Sequence, residues 1–284
     1  MRPIPLCYHD VIADGTEFDS SGFRGPDVAT YKLPLGVFRQ HLAAIGEVHL
    51  QTSTSDAEPL RECGIPLLTF DDGGFSAATL IADELERVAR RGLFFIPTDF
   101  IGQDGFLPAA GILNLHERGH VIGSHSCTHR GRMSRFTANR LDAEWTMSRD
   151  ALSSIIGAPV VTASVPSGYY SKDVARAASR AGIRFLFTQE PTTRIDLVDE
   201  CLVMGRYTVR SWTTAQTIGL LASGQLSPRI RQWALWTLKR AAKSTGGTYT
   251  RFRSFYYSSL KGRHSDSRPP IQSMKTAGSD RPGI

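Results

Sequence analysis

The chain has 284 residues, 41% of them hydrophobic, and a formal net charge of +6. That length and apolar content suit one sizeable domain with a full core and an appendage, and the lack of any run of eighteen apolar residues excludes a spanning helix. The four cysteines, Cys7, Cys63, Cys127 and Cys201, are scattered with no Cys-x-x-Cys pair, which argues against a disulfide framework or a structural zinc site. The charge is uneven: residues 205–284 carry +12 and residues 1–204 carry −6. An acidic body with a basic C-terminal part that meets anions is expected.

Residues 5–10 read as a first strand ending in Tyr8-His9-Asp10. No long apolar run precedes it, so a cytoplasmic location is expected. Residues 13–34, rich in Gly, Asp, Ser and Pro, read as a long surface loop of the kind that borders a groove. Val37, Phe38, Leu42 and Ile45 give residues 35–45 a helical period. Residues 51–64 are polar and loop-like, and 65–70 form a short apolar strand. Residues 75–91 put Ala78, Ile81, Leu85 and Val88 on one helix face, closed by Gly92. Strands follow at 93–97, 121–124, 160–165 and 185–188. Helices alternate with them at 109–118, at 137–156 with Thr137 as N-cap, and at 171–181 with Ser171 as N-cap. The alternation predicts an α/β fold with a parallel sheet.

Beyond about residue 210 the pattern changes. Helices are expected at 214–223 and 228–243, the second with Ile230, Ala234, Leu235, Leu238 and Ala242 on one face and Trp233 and Trp236 beside it. Its basic residues fit either a membrane surface or, as the preferred reading, a helix packed on the body with a solvated basic face. The polar residues 262–284 are expected to be disordered. The expected division is therefore 1–210, 211–261 and 262–284.

The chemistry concentrates where the strand at 65–70 stops. Asp71 and Asp72 follow it directly, and Gly73-Gly74 permit a sharp turn. Neighbouring side chains at a strand end point to opposite faces, so two acids there can take different jobs in one pocket. A solvated Asp-Asp-Gly turn is the plainer account of this stretch alone. Fifty residues on, His125-Ser126-Cys127-Thr128-His129 puts two histidines at i and i+4, able to converge on one cation. One Asp with two His makes an open divalent-metal site. Cys127 between them reads as a packing residue, with a thiolate ligand as the minor alternative.

These residues resemble the polysaccharide deacetylases of the NodB-homology group. Thr69 to Gly73 resembles that family's first motif and His125 to His129 its second; Gly119 to Gly123 and Phe94 to Pro97 also match. The resemblance covers about residues 1–210. It implies a distorted (β/α) barrel of about seven strands with the site at the strand C-termini. It implies Asp72, His125 and His129 as metal ligands and Asp71 as catalytic base. The metal is expected to be zinc, with cobalt, nickel or iron as alternatives. The implied reaction removes an N-acetyl group from an amino-sugar glycan in exopolysaccharide metabolism. The alternatives are the same core acting on a non-sugar amide, and a carbohydrate-binding homologue with an impaired site. No nucleic-acid partner is expected.

Two departures stand out. In the third motif, Ser164 to Tyr170, Pro166 and Gly168 fit, but Ser164 or a neighbour stands where the family has an Arg that orients the catalytic acid, so that interaction is absent or supplied from elsewhere. Ser167 or Gly168 can offer an N–H to an oxyanion, and Tyr169 and Tyr170 can line a sugar subsite or pack at the rim. The late motif carrying the general-acid His is missing. Either His9 takes that role from the N-terminal strand, the favoured account, or activity is lost. His41, His49, His116 and His120 are expected to be structural or exposed.

Overall fold

The structure, a computed structural model, describes residues 4–16, 18–46 and 66–244. The chain divides into two compact units, Met1–Trp236 and Thr237–Ile284, and every described strand lies in the first. No helix among the described residues is long and apolar enough to cross a membrane. The expected loop at 51–64, His49 and the tail at 262–284 lie outside the described residues.

Eleven strands are described: β1 (Leu6–Tyr8), β2 (Val11–Ile12), β3 (Leu33–Pro34), β4 (Leu68–Phe70), β5 (Gly92–Ile96), β6 (Val121–Ser124), β7 (Thr162–Ser164), β8 (Phe185–Phe187), β9 (Ile195–Val198), β10 (Cys201–Met204) and β11 (Tyr207–Thr208). Nine form one sheet in the order β11-β1-β4-β5-β6-β7-β8-β10-β9. All neighbours run parallel except β10 and β9, an antiparallel edge pair. β2, just before the stretch expected to be loop, and β3, at its end, pair separately. Among the described residues the α-helices are seven: α1 (Leu35–Gly46), α2 (Ala82–Arg87), α3 (Ala109–Glu117), α4 (Ala138–Ile156), α5 (Lys172–Arg180), α6 (Ala215–Ala222) and α7 (Leu226–Ser244).

Strand alternation sorts the core. Phe70 and Phe94 face outward to the helices and stack at 5.0 Å, with Leu42, Leu85 and Ile112 in the same cluster. Leu93, Phe95, Phe185 and Phe187 face the other way and form an inner cluster with Leu67 and Met204. Phe95 on β5 and Phe187 on β8 are three strands apart yet lie 5.3 Å centroid to centroid, which requires the sheet to curl around them. Each such ring contributes about 1.5–3 kcal/mol on burial. A third cluster, around Met133, Trp145 and Val174, seats α4 and α5.

Three expectations need correction. The helix expected at 75–91 is a π turn, Ala77–Ile81, followed by a short α2. It stops at Arg87, Ala89 takes a left-handed φ of 53°, and Gly92 begins β5 instead of capping the helix. A Cβ at Gly92 would sit 2.9–3.0 Å from Leu85, Phe70 and Phe94, so close packing explains that glycine. Thr137 precedes α4 as expected but makes no side-chain capping bond, whereas Ser171 does cap α5 through Val174 N–H. Finally, the part of α7 that lies in the first unit, up to Trp236, does not turn its apolar residues inward. Pro228, Arg229 and Gln232 face inward, Arg229 donating to Tyr207 Oη at 3.0 Å and Gln232 to the Thr208 carbonyl at 3.2 Å. Leu226, Ile230 and Leu235 are exposed.

Candidate active site

The site is built at the C-terminal ends of β1, β4, β6 and β7. Asp71 continues β4, its N–H donating to the Tyr8 carbonyl at 3.0 Å. The chain then turns through two left-handed residues, Asp72 (φ 77°) and Gly73 (φ 62°). A non-glycine there costs on the order of 1 kcal/mol, held by its surroundings. Gly74 has another cause: a Cβ would fall 2.0 Å from the buried Asp10 carboxylate, as would one at Gly22. Asp10 in turn accepts from Ser21 and Ser76, tying the 13–34 loop to the turn that carries the acids.

Asp72, His125 and His129 converge, with one donor atom from each lying within 4.8 Å of the others. Asp72 Oδ1 is 3.4 Å from His125 Nε2 and 3.1 Å from His129 Nε2. His125 Nδ1 lies 2.9 Å from the Ser164 carbonyl, which can only accept. Nδ1 therefore carries the proton, and Nε2 turns its lone pair to the centre. His129 follows a tight loop at φ 50°, its ring stacked on Phe23 at 4.6 Å. Burial raises the Asp72 pKa, but the two imidazoles outweigh it and hold the carboxyl well below its usual range. His129 is moved upward, Asp72 outweighing burial. Two imidazoles and a carboxylate, partly open to solvent, fit a borderline divalent cation.

Asp71 lies in a different setting. Arg206, from the link between β10 and β11, grips it with Nη1 to Oδ1 and Nη2 to Oδ2, both at 2.7 Å. Both side chains are fully buried. Ser164 Oγ donates to Asp71 Oδ1 at 3.1 Å and accepts from Arg206 Nη2 at 2.8 Å. Burial raises the Asp71 pKa, but the guanidinium overrides it and the carboxyl falls to about 2. The Arg206 guanidinium rests over the inner rings, 5.5 Å from Phe95 and 6.0 Å from Phe187.

His9, directly after β1, is buried beside this pair. A ring nitrogen of His9, Cys7 Sγ and an Asp71 oxygen lie within 4.8 Å of one another. The His9 ring packs on Tyr31 at 4.5 Å, and its buried Nδ1 has no hydrogen-bond partner among the described residues. Burial lowers its pKa, with both aspartates pulling the other way. β1 lies between β4 and β11, so the first and last strands of the domain are neighbours.

Residues 61–186 match the family model for polysaccharide deacetylases. Among solved structures, 42 chains match. The Streptococcus pyogenes deacetylase PplD, solved with acetate, superposes with a TM-score of 0.63 at 15% identity, covering 78% of this chain and 98% of that one. BC0361, a polysaccharide deacetylase from Bacillus cereus, gives 0.63 at 17% identity over 78% and 69%. A de-N-acetylase from Aggregatibacter actinomycetemcomitans gives 0.61 at 16% over 78% and 100%. The fold is that of the polysaccharide deacetylases, and the matched segment spans β4 to β8. Likeness at these identities shows the fold, and no curated protein sequence matches the chain.

Within the matched segment, Pro166, Ser167 and Gly168 form a 3-10 turn after β7, with Ser167 at φ 56°. The Gly168 N–H points to the Val165 carbonyl at 3.4 Å. Tyr169 lies under Arg132, 6.0 Å from ring to guanidinium, while Tyr170 packs against the Trp145 cluster. Cys127 is buried and its Sγ lies against the Glu144 carbonyl at 3.4 Å. His41 and His120 are core residues, His120 pushed down to about 4 by burial. The sequence reading missed Arg206, although a lone Arg between the apolar runs 201–204 and 207–209 was its signal. It also missed Phe23, Tyr31 and Glu144, which no local pattern distinguishes.

Proposed function

We propose that this chain is a divalent-metal-dependent hydrolase that removes N-acetyl groups from an amino-sugar glycan, in exopolysaccharide metabolism. The observation that carries the reading is an Asp-His-His cation cradle directly beside a carboxylate that a buried arginine keeps ionised. Asp72, His125 and His129 hold the ion, with zinc first and cobalt, nickel or iron as alternatives. Such an ion supplies Lewis acidity toward an amide carbonyl and lowers the pKa of a water.

The remaining work falls to the chain. Asp71 takes the proton from the attacking water. The Arg206 grip sacrifices basicity, since a carboxylate titrating near 2 is a weak base, but guarantees the ionised form and a fixed direction. Cys7 and Ser164 fill the surroundings of its oxygens, leaving the direction toward His125 and His9 for the substrate. His9 delivers a proton to the leaving amine, and its unpaired Nδ1 is a polar atom that a bound substrate or water can satisfy. Pro166, Ser167, Gly168, Tyr169 and Tyr170 line the approach at the end of β7, Ser167 offering its N–H to the developing oxyanion.

The protein acts at the cytoplasmic side, in peripheral contact with a membrane through α7. Support comes from the exposed Leu226, Ile230 and Trp233 beside basic Arg231 and Arg240. Ile230→Ser with Trp233→Ser is expected to lower cosedimentation with anionic vesicles; unchanged binding would remove that part of the reading.

Acetate release from N-acetylglucosamine oligomers, with protein stripped of metal and reloaded with zinc or cobalt, tests the activity. Metal-dependent release is expected in the wild type, with losses on the order of 10²–10⁴-fold in Asp71→Asn and His9→Ala. Tight metal binding without release would favour a non-sugar amide or an impaired carbohydrate-binding homologue.

A further inference from the structure

We propose that Glu144 is the positioning residue of the cation cradle: its carboxylate holds the loop between His125 and His129 in the one shape that lets both imidazoles reach Asp72. The proposal rests on the reading of Asp72, His125 and His129 as ligands, and on a contact set that the reaction itself does not use.

The loop has no regular backbone pairing of its own. It leaves β6 at Ser124 and passes through two non-glycine residues in the left-handed region, Ser126 (φ 62°) and His129 (φ 50°). The N–H groups of Cys127 and Thr128 face inward and need a buried acceptor. Glu144, in the second turn of α4 and 5% exposed, meets that need. Its Oε2 accepts from Cys127 N–H at 3.1 Å and Thr128 N–H at 3.0 Å, and its Oε1 accepts from Thr128 Oγ1 at 2.7 Å. Two ligands bracket the loop, and one carboxylate takes up three donors from the residues between them.

One helical turn on, Ser148 continues the grip. Its hydroxyl meets Ser124 Oγ at 2.7 Å, and that oxygen accepts from Ser126 N–H at 3.1 Å. The loop's other side is held by backbone: Thr98 N–H donates to the Ser126 carbonyl and Asp99 N–H to the Cys127 carbonyl, each at 3.1 Å. The helix is a firm base, because Trp145 is fully buried and its indole N–H bonds the Val174 carbonyl at 3.2 Å. Without Glu144, Cys127 and Thr128 N–H must find other acceptors, and the cheapest route is for the loop to relax out of its left-handed residues. His129, at the loop's end, then leaves Asp72 while His125, pinned to Ser164, stays.

The test is a metal titration of the full chain, stripped of metal, with Co2+ alone, read by calorimetry and by visible absorption. Wild type is compared with Glu144→Ala, Glu144→Gln and Thr128→Val. Glutamine keeps a carbonyl for the two N–H groups and turns its amide to the Thr128 hydroxyl, which can accept, so Glu144→Gln is expected to bind close to wild type. Glu144→Ala is expected to weaken Co2+ binding about 10- to 100-fold and to change the absorption envelope, with Thr128→Val falling between. The thermal midpoint of the metal-free proteins is recorded alongside, since a role confined to folding would move that midpoint and leave the affinity alone. Wild-type affinity and spectrum in a folded Glu144→Ala, or in Thr128→Val where the alanine variant does not fold, would overturn the proposal. A wild type that binds no divalent ion would overturn the ligand reading itself, and the proposal with it.

Discussion

The two halves of the site are made from adjacent residues and could hardly differ more. On one side, Asp72 meets two histidines of a single short loop in a place partly open to solvent. On the other, Asp71 is sealed with Arg206, with Ser164 and Cys7 packed on the same carboxylate. One peptide bond separates a carboxylate that faces two imidazoles from one whose charge is matched by a buried guanidinium. Environment, and not residue type, assigns the roles, which is the general way that paired carboxylates divide labour.

The sharpest way to break this division is to remove the arginine. Arg206→Met leaves a buried carboxylate without its partner and is expected to cost about 3–5 kcal/mol in urea unfolding. Co2+ affinity at the neighbouring cradle should change little. A parallel collapse of metal binding would show that the halves are one unit. Next in size is acid sensitivity. Asp71 titrates near 2 in the folded chain, against about 3.9 for an unfolded aspartate. The depressed folded value means the stabilisation is complete above about pH 4 and is lost as pH falls through about 2. It is worth roughly 2.5 kcal/mol, and a pH series of unfolding midpoints should lose this slope in Arg206→Met. Ser164→Ala removes a hydroxyl shared by both charged partners and should cost about 1.5 kcal/mol by the same measurement. Smallest is Phe23→Leu, which trades the ring stacked on His129 for an aliphatic chain. It should cost about 1 kcal/mol or less, with a modest loss of Co2+ affinity and none of acid slope.

The same contrast explains what could be read from sequence. The meeting of an Asp with His125 and His129 was legible because the spacing is local, a strand end and then an i, i+4 pair; which of Asp71 and Asp72 faces the histidines came only from the family resemblance. The parallel strands that deliver them were legible as apolar runs, and β6 was placed to the residue. The half around Asp71 is a sum of distant choices. Ser164 is informative only once a guanidinium 42 positions away is seen to fill the space that a small side chain leaves. Arg206 looks like any surface arginine until the inner rings of Phe95 and Phe187 are found beneath it. Helix α7 misled for the opposite reason. Its apolar period was real, but periodicity says which residues share a face and not what covers that face.

The place of β1 in the sheet has a consequence for how the protein is made. β1 is flanked by β4 and β11, and its second partner is translated roughly 200 residues after it. At about 5–20 residues per second, that edge waits on the order of 10–40 s on the ribosome. During the wait, a strand of Leu6, Cys7 and Tyr8 offers unpaired backbone to any passing chain. Until Arg206 and Tyr207 emerge, Asp71 also has no counter-charge, so the nascent domain cannot bury the carboxylate at its centre. Synthesis of this protein should therefore depend on whatever shields a half-made sheet, and slowing translation after residue 190 should lower its soluble yield more than slowing it before residue 60.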